Sequence, residues 1–377
     1  MFEKLSSRLR DNSSPITWFH CASLGEFEQG RPLMEQLKFR DPKAKILLTF
    51  FSPSGYEIRK DYAGADWVFY LPLDTVSYAR KFIEIVKPEK VFFVKYEFWF
   101  NYLDVLFQKK IPTYFISVNV RPDHYFLKWY GSWALGQLKK VNHFFVQNQI
   151  SYDLLFNAGI TQCSIAGDTR FDRVIEISKG AKTLPLIEKF CSGKSVIVAG
   201  SSWREDEKLL AELMEVQSTE YKVQRLIVAP HEIEENSLRA VEAIFSASKI
   251  IRYSKAEISS IANFEVLLID NIGMLSSLYK YSTISYIGGG FGKGIHNILE
   301  AAVFGKPVLF GPNFQKFEEA KELIKQGGAI TNSTFSELEN VVYGLVSDQK
   351  KYREKCEIAR AFVHDNSGAV DKILKKI

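Results

Sequence analysis

Short apolar runs alternate with amphipathic segments along most of the sequence, and this alternation constrains the fold more than any other feature. The apolar runs have the length of β-strands, and the segments between them carry apolar residues at helical spacing. Such alternation with short polar joins is typical of a parallel, doubly wound sheet. The predicted strands span 16–21, 45–50, 67–70, 90–94, 113–117 and 143–146 in the first half, and 195–199, 224–228, 266–269, 283–287 and 307–310 in the second.

The pattern runs through the chain twice, with a polar stretch at about 167–181 between the halves. At about 100–200 residues per domain, a chain of 377 residues also corresponds to two domains. We therefore predict an α/β protein with two Rossmann-like domains, 1–170 and 171–377, that face each other across a cleft, the last helix being free to pack back on the first domain. Helices are predicted at 31–39, 54–62, 76–86, 99–109, 204–214, 233–245, 295–304 and 316–326.

Composition excludes several classes of protein. Hydrophobic residues make up 46% and charged residues 25%, which excludes a disordered or collagen-like chain. Lys and Arg number 49 against 44 Asp and Glu, and this small excess does not mark a nucleic-acid-binding protein. Four scattered cysteines predict no disulfide framework, which fits a reducing cytosol. No apolar stretch reaches the roughly 18 residues that a membrane-spanning helix needs.

A glycine-rich turn follows the predicted strand at 283–287. It runs from Gly288 and Gly289 to Gly294, and a helix is predicted to begin directly after it. Glycines let the backbone approach a ligand closely, and a helix N-terminus offers free N–H groups. The turn therefore favours a phosphate or a carboxylate. It is neither a Walker loop nor a dinucleotide fingerprint, because the spacing and the following residues do not match.

Asn297 and Glu300 lie three residues apart on one face of that predicted helix. A carboxylate there could accept hydrogen bonds from two ribose hydroxyls. The alternative is a glycine turn followed by a solvated helix face. Because the turn, the helix and the carboxylate coincide, the sequence favours a nucleotide site.

A related arrangement, Gly200-Ser201-Ser202, follows the strand predicted at 195–199. Its hydroxyl and N–H groups precede a predicted helix and could contact a phosphate. Ser202 and Glu205 also have the spacing of a capping box. Both interpretations stay open, since one residue can serve both.

Two glutamates follow early strands, Glu26 after 16–21 and Glu97 after 90–94. Carboxylates at two strand ends could converge on one site, where one of them acts as a base towards a hydroxyl nucleophile. The alternatives are structural. Ser23 and Glu26 have the spacing of a capping box, and Glu97 could be a charge favoured by a helix dipole.

Four blocks together resemble the Kdo transferases, the 3-deoxy-D-manno-octulosonic acid transferases of lipopolysaccharide synthesis. They span most of the chain in that family's order, and the last is the most specific. The blocks are Trp18-Phe19-His20-Cys21-Ala22-Ser23-Leu24-Gly25-Glu26, Glu97-Phe98-Trp99, Gly167-Asp168-Thr169-Arg170-Phe171-Asp172, and the run from Gly288 to Glu300 that continues through Gly305 to Pro312.

The resemblance implies a GT-B fold in which residues 1–170 bind the acceptor and carry the catalytic glutamate, and residues 171–377 bind a CMP-sugar. It implies transfer of Kdo from CMP-Kdo to a lipid A precursor (lipid IVA), with inversion at the anomeric carbon and with neither metal nor other cofactor. By position in the motifs, Glu26 matches the catalytic base and Glu97 a second acidic residue. Asn297 and Glu300 match the nucleotide-binding helix, with Glu300 on the ribose.

Some positions depart from the family pattern. Gly290 stands where many relatives have Ser, Met274 stands where an acidic residue is common, and an Arg-His pair is reduced to His231 in the run Pro230-His231-Glu232. With these departures the resemblance still implies the same class of donor. It does not determine which residues contact the phosphate and the cytosine. The predicted donor-binding residues are Gly200, Ser201, Ser202, His231, Gly288, Gly289, Asn297 and Glu300.

The implied acceptor is an anionic lipid, so the protein must meet a membrane surface. The segment 121–130 mixes bases with large aromatics, and Arg121, Lys128 and Trp129 are its predicted contacts. The alternative is a core-facing helix with a solvated edge. The implied location is the cytoplasmic face of the bacterial inner membrane, held peripherally or by an N-terminal anchor that residues 1–15 do not provide.

Two other functions are compatible with these motifs. One is another GT-B glycosyltransferase or a sugar-nucleotide epimerase, which turnover with UDP-sugars rather than CMP-Kdo would reveal. The other is a nucleotide-binding regulatory module without catalysis, against which the presence of Glu26 and Glu97 argues.

Overall fold

The computed structural model describes residues 1–216 and 223–377 and divides into two compact units. The first unit consists of Met1–Arg173 and Asn366–Ile377, and the second of Val174–Asp365. The sequence-based boundary after residue 170 falls three residues before the structural one, and the last twelve residues of the chain belong to the first unit.

Strands and helices alternate in both units. The strands are β1 Ile16–Cys21, β2 Lys45–Phe50, β3 Trp67–Tyr70, β4 Pro88–Val94, β5 Thr113–Val118, β6 His143–Val146, β7 Cys163–Ile165, β8 Val196–Ser202, β9 Arg225–Pro230, β10 Ile250–Arg252, β11 Val266–Leu268, β12 Ile284–Ile287, β13 Val308–Phe310 and β14 Ala329–Thr331. The helices are α1 Phe2–Leu9, α2 Leu24–Arg40, α3 Pro53–Arg59, α4 Val76–Val86, α5 Phe100–Gln108, α6 Ser132–Leu138, α7 Gln149–Asn157, α8 Thr169–Lys179, α9 Pro185–Cys191, α10 Arg204–Glu215, α11 Glu235–Ile244, α12 Leu275–Leu278, α13 Leu299–Ala302, α14 Glu318–Gln326, α15 Phe335–Ser347, α16 Gln349–Asp365 and α17 Ala369–Leu374.

Within the described residues, each unit contains one parallel sheet of seven strands. The order is β3-β2-β1-β4-β5-β6-β7 in the first unit and β10-β11-β9-β8-β12-β13-β14 in the second. In the first sheet the chain moves outward from β1 and then switches to β4 on the other side. In the second it makes the same switch from β8 to β12. Both sheets are doubly wound, as predicted, and in such sheets ligands bind outside the carboxyl ends of the strands at the switch point.

Burial explains why the strand signal in the sequence is so clear. The strands of a parallel sheet are covered on both faces, so they read as continuous apolar runs rather than alternating ones. Phe92, Phe93 and Val94 of β4 are each fully buried. Leu5 and Leu9, four residues apart on α1, also face the core of the first unit.

The last block of the early motifs has a structural role within the first unit. The Asp172 carboxylate accepts hydrogen bonds from the Gly368 N–H at 2.7 Å and from the Val370 N–H at 3.2 Å. It thereby caps α17, since the first N–H groups of a helix lack partners within the helix. This contact fixes the end of the chain on the first unit.

Two sequence predictions need correction here. The pattern missed β7, β10 and β14, each three residues long and each at the edge of its sheet. It also began the first long helix at residue 31, whereas α2 begins at Leu24, with Ser23 as its N-cap. Gly25, Gly30 and Pro32 had obscured the helical pattern in its first turns.

Candidate active site

Glu26 and Glu97 lie at the switch point of the first sheet. Glu26 follows β1 and Glu97 follows β4, and these two strands are neighbours in the sheet. The structure therefore brings the two predicted carboxylates to one edge, where a doubly wound sheet binds its ligand.

Glu26 is held rigidly in the first turn of α2. Its side chain is only 7% exposed, and its carboxylate accepts a hydrogen bond from the Ala22 N–H at 2.5 Å. The Glu26 N–H donates to the Ser23 hydroxyl at 3.4 Å. Only one of the two hydrogen bonds of a capping box is therefore present. The Ser23 side chain caps the helix, but the Glu26 carboxylate bonds the Ala22 N–H and not the N–H of Ser23.

The electrostatic surroundings of Glu26 suit a base. Burial, and next the charge of Glu97, raise its pKa from 4.5 to about 7, although the Ala22 N–H and Lys95 act in the opposite direction. A general base works best with a pKa near the pH at which it operates. The backbone of Lys95 is left-handed, with φ of 62°, a conformation that non-glycine residues adopt rarely.

Glu97 is half-buried and has its own fixed partner. Burial raises its pKa, while a hydrogen bond from the Trp99 indole N–H and the charge of Lys95 lower it. The Trp99 N–H to Glu97 oxygen distance is 3.2 Å. The two carboxylates at this edge of the first sheet therefore have different partners. Glu26 accepts a hydrogen bond from a backbone N–H, and Glu97 accepts one from an indole N–H.

The predicted donor residues gather at the switch point of the second sheet. Ser201 and Ser202 end β8, Gly288 follows β12, and His231 follows β9 on the other side of β8. The Gly288 N–H donates to the carbonyl of Gly200 at 2.9 Å, so the ends of β8 and β12 are joined.

The glycine turn packs closely against the protein's own backbone. A Cβ on Gly288 would lie 2.2 Å from the carbonyl oxygen of Ser201, and one on Gly290 would lie 2.5 Å from the nitrogen of Gly311. Both positions therefore require glycine. The N–H of Gly289, one of the predicted donor-binding residues, donates to the carboxylate of buried Asp206 at 2.9 Å.

The helix predicted to begin at Ile295 is wrong in its start and its length. The segment 294–298 is not helical, and α13 covers only Leu299–Ala302. Asn297 and Glu300 are nevertheless brought together. The Asn297 amide N–H donates to the Glu300 carboxylate at 3.1 Å, and the Asn297 oxygen accepts from the Leu299 N–H at 3.1 Å. A direct hydrogen bond from Asn297, and not a shared helical face, orients the predicted ribose-binding carboxylate.

The alternative of a capping box between Ser202 and Glu205 is not realised. The Trp203 N–H donates to Asp206 at 2.9 Å, and the Ser202 hydroxyl donates to Glu207 at 2.9 Å. Asp206 and Glu207 are both nearly fully buried, and the sequence analysis missed them. Their signal was the acidic run directly after a strand end, which resembles an ordinary first turn of a helix.

Three aromatic rings from three segments stack beside the glycine turn. The Trp203 and His231 rings have centroids 4.7 Å apart and planes 23° apart, and the His231 and His296 rings have centroids 4.7 Å apart and planes 27° apart. The Trp203 indole N–H donates to Nε2 of His296 at 3.3 Å. Of these rings, only His231 was among the predicted donor-binding residues.

The predicted membrane-facing residues lie on the first unit. The segment folds as two short 3₁₀ turns, Tyr125–Leu127 and Trp129–Gly131, and not as one continuous helix. Phe126 is buried, whereas Trp129 is 92% exposed. Arg121 and Lys128 are also exposed, and Arg121 lies 3.6 Å from Asp123.

Two neighbours enlarge this exposed aromatic surface. Tyr130 is 62% exposed and Trp133, on α6, is 63% exposed. Across residues 1–216 and 223–377, no helix combines the length and the apolar character needed to cross a membrane. The same described residues contain no group of three His, Cys, Asp or Glu side chains able to hold a metal ion.

Comparison with solved structures defines the fold class. The chain matches UDP-GlcNAc 2-epimerase from Neisseria meningitidis with a TM-score of 0.65 and 16% identity, over 96% of this chain and 98% of that one. This likeness concerns the fold alone, and it confirms the predicted α/β class with two Rossmann-like domains of GT-B type.

Comparison with sequences shows which proteins this chain is similar to. The family model described as "3-Deoxy-D-manno-octulosonic-acid transferase (kdotransferase)" matches residues 2–173. The 3-deoxy-D-manno-octulosonic acid transferase of Aquifex aeolicus is 28% identical over 91% of this chain and 89% of its own length. That of Haemophilus influenzae is 25% identical over 95% and 85%. The resemblance to the Kdo transferases is therefore confirmed by the family model over the first unit and by relatives over most of the chain.

Proposed function

We propose that the protein is an inverting glycosyltransferase that transfers Kdo from CMP-Kdo to a lipid A precursor, lipid IVA. The observation that carries the proposal is the buried Glu26 carboxylate, with a pKa raised to about 7, at the switch point of the unit that the family model matches. A non-catalytic module would have no need for such a group.

The proposed chemistry is a single displacement. A sugar hydroxyl of the acceptor attacks the anomeric carbon of Kdo, its proton passes to Glu26, and the bond from that carbon to the phosphate oxygen breaks as CMP leaves. Attack on the face opposite the phosphate inverts the anomeric carbon. The charge of Glu97 beside the base raises the pKa of Glu26 by like-charge repulsion and so makes a proton on Glu26 more favourable.

The second unit is proposed to hold the donor nucleotide. Glu300, oriented by Asn297, accepts hydrogen bonds from the ribose hydroxyls. The phosphate lies at the switch point, near Ser201 and the ends of β8 and β12. The remaining proposed donor-binding residues are Gly200, Ser202, His231, Gly288 and Gly289.

No metal ion is needed in this proposal. The donor has one phosphate, so there is no pair of phosphates for a cation to bridge, and the leaving CMP can be met by N–H groups and side chains of the second unit.

The first unit is proposed to meet the lipid. Trp129, Tyr130 and Trp133 are exposed aromatic side chains next to Lys128. Aromatic rings suit the headgroup boundary of a bilayer, and a lysine suits the phosphates of an anionic lipid. This surface would place the protein peripherally on the cytoplasmic face of the inner membrane.

The choice of donor tests the proposed function against the alternative of an epimerase. The fold is similar to that of UDP-GlcNAc 2-epimerase, so this alternative needs a direct test. Purified protein is incubated with CMP-Kdo or with UDP-GlcNAc, and the release of CMP or the interconversion of the UDP-sugar is followed by chromatography. We expect acceptor-dependent CMP release from CMP-Kdo and no change in UDP-GlcNAc. Epimerisation of UDP-GlcNAc without CMP release would overturn the assignment.

A further inference from the structure

The Glu97 carboxylate precedes α5 but does not cap that helix. The first N–H groups of a helix lack partners within it, and in α5 the Asp74 carboxylate supplies them. It accepts hydrogen bonds from the Asn101 N–H at 3.1 Å and from the Tyr102 N–H at 3.2 Å. The start of α5 therefore has a carboxylate of its own, and Glu97 is available for another role.

Trp99 holds Glu97 at two points. The backbone N–H of Trp99 donates to the Glu97 carbonyl at 3.2 Å, and its indole N–H donates to the Glu97 carboxylate, also at 3.2 Å. At the other end of this loop, the Lys95 N–H donates to the Ile116 carbonyl of β5 at 2.9 Å. Both the backbone and the side chain of Glu97 are therefore restrained.

Two aromatic rings fix the Trp99 indole in turn. The His20 ring of β1 lies 5.3 Å from it, centroid to centroid, with the planes 87° apart, and the Phe51 ring after β2 lies 4.9 Å from it at 63°. Such edge-to-face contacts are favourable. His20 is itself fully buried, and its Nδ1 lies 2.9 Å from the Thr49 hydroxyl. The indole is thus packed against a ring that cannot move freely.

The charges that act on Glu26 come from the loop between β4 and α5. They belong to Glu97, which raises the pKa of Glu26, and to Lys95, which lowers it. On β1, burial lowers the pKa of His20 to about 3 and raises that of the Cys21 thiol, so both are uncharged at neutral pH. After burial, Glu97 is therefore the neighbour that most favours a proton on Glu26.

The other elements packed on α2 do not add unpaired charge near Glu26. β5 carries no charged side chain, and the charged residues of β4, Glu89 and Lys90, lie at its amino end. Charged residues of α2, α3 and α17 are bonded elsewhere. The pairs are Glu28 with Arg59, Arg31 with Glu35, Lys38 with Asp66, Arg40 with Asp371, Glu57 with Lys60, and Lys372 with the Ala166 carbonyl.

We propose that Trp99 is a positioning residue of the transfer reaction, and that its indole N–H holds the Glu97 carboxylate beside Glu26 and favours the charged form of Glu97. This role rests on the proposed function, since it takes Glu26 to be the base. A nearby negative charge makes a carboxylate a stronger base. Without the indole bond, Glu97 would be free to rotate towards solvent, where its charge acts on Glu26 more weakly.

A titration without ligand tests the hold of Trp99 on Glu97. The carboxyl carbon of Glu97 is followed by NMR in Glu26→Gln protein, so that Glu97 titrates without its carboxylate neighbour. A hydrogen bond to the charged form lowers a carboxyl pKa, so adding Trp99→Phe should raise the pKa of Glu97 by about 0.5 unit or more. Trp67→Phe is the matched control, because it removes an indole bond of equal length, 3.2 Å to the Arg8 carbonyl, and should leave Glu97 unchanged.

Turnover of CMP-Kdo tests whether this hold serves the reaction. A misplacement of about 1 Å can cost roughly 10²-fold in rate, so Trp99→Phe should lower kcat by roughly tenfold to 10²-fold. The KM for CMP-Kdo should change by less than about twofold, since the proposed donor site lies in the second unit. Trp99→Phe should cause no further loss in a Glu97→Gln background, because residues that act through one contact are not additive.

A shape-preserving replacement guards against a folding defect. 3-Benzothienylalanine at position 99 keeps the two fused rings and replaces the N–H by sulfur, so it should reproduce both effects of Trp99→Phe. An unchanged pKa of Glu97, an unchanged kcat, or losses that add in the double variant would each overturn the proposal. No CMP release by wild-type protein, together with the expected shift of Glu97, would instead refute the proposed transfer and leave the hold of Trp99 on Glu97 intact.

Discussion

Replacing Glu26 by Gln separates the chemical role of this side chain from its structural one. Glutamine keeps the size of the side chain and an oxygen that can accept the Ala22 N–H, but it cannot take a proton from a sugar hydroxyl. A positioned general base contributes roughly 10²–10⁴-fold to the rate, so Glu26→Gln should lose about this factor in turnover. Its affinity for CMP should be unchanged, because the proposed nucleotide site lies in the second unit.

The same variant should alter how stability depends on pH. Burial and the charge of Glu97 raise the pKa of Glu26 from 4.5 to about 7, so the folded protein binds this proton more tightly than the unfolded chain does. The stability gained from the proton is fully present below pH 4.5 and is lost as the pH rises through about 7. The difference between the two pKa values corresponds to about 3 kcal/mol of unfolding free energy.

Urea unfolding, followed by tryptophan fluorescence, measures this effect. Relative to wild type, Glu26→Gln should gain up to about 3 kcal/mol between roughly pH 4 and pH 8, because the variant does not bury a charge at high pH. Glu89→Gln, an exposed glutamate on β4, is the control and should show no such gain. A Glu26→Gln enzyme with wild-type turnover would move the base to Glu97. A stability difference that is independent of pH would refute the assignment of a raised pKa.

Three further predictions concern the donor, the metal and the membrane. Glu300→Ala should weaken CMP binding by roughly tenfold or more, as measured by calorimetry, because charge-assisted hydrogen bonds to the ribose are lost; an unchanged affinity in a folded variant would contradict this role. Activity should be complete in EDTA, and a loss that magnesium restores would refute metal independence. The double variant Trp129→Ser and Trp133→Ser should sediment less with anionic vesicles than wild type, whereas Phe39→Ser, an exposed residue of α2, should not; equal sedimentation of all three would exclude this surface.

The sheets could be predicted from the sequence because their central strands are buried on both faces. β1, β2 and β6 were predicted with their observed ends, and so was the edge strand β3, whose four residues are all apolar or aromatic. The strands that were missed, β7, β10 and β14, form sheet edges. An edge strand pairs on one side only and needs few apolar residues, so Cys163–Ile165 carries too short a signal to be recognised.

The site could be predicted in part. The positions of Glu26 and Glu97 after neighbouring strands followed from the alternation, because a doubly wound sheet brings its switch-point strands together. The short α13 could not be predicted. The residues after Gly294 have helical spacing, but the Asn297 side chain accepts a hydrogen bond from the Leu299 N–H. Such local side-chain to backbone bonds compete with helix formation.

The contacts of Asp206 with the Gly289 N–H and the Tyr286 hydroxyl join residues about eighty positions apart. No local pattern in the sequence reports such a contact. The same holds for the stack of Trp203, His231 and His296, whose members come from three separate segments.

Mass spectrometry of the lipid product tests the central claim most directly. Lipid IVA is incubated with CMP-Kdo and either the wild-type protein or Glu26→Gln, and the lipid is analysed at matched times. The proposed function predicts that the lipid gains the mass of one or more Kdo residues with wild-type protein, and that the Glu26→Gln product forms roughly 10²–10⁴-fold more slowly. Unmodified lipid with a folded wild-type protein that binds CMP would contradict the claim.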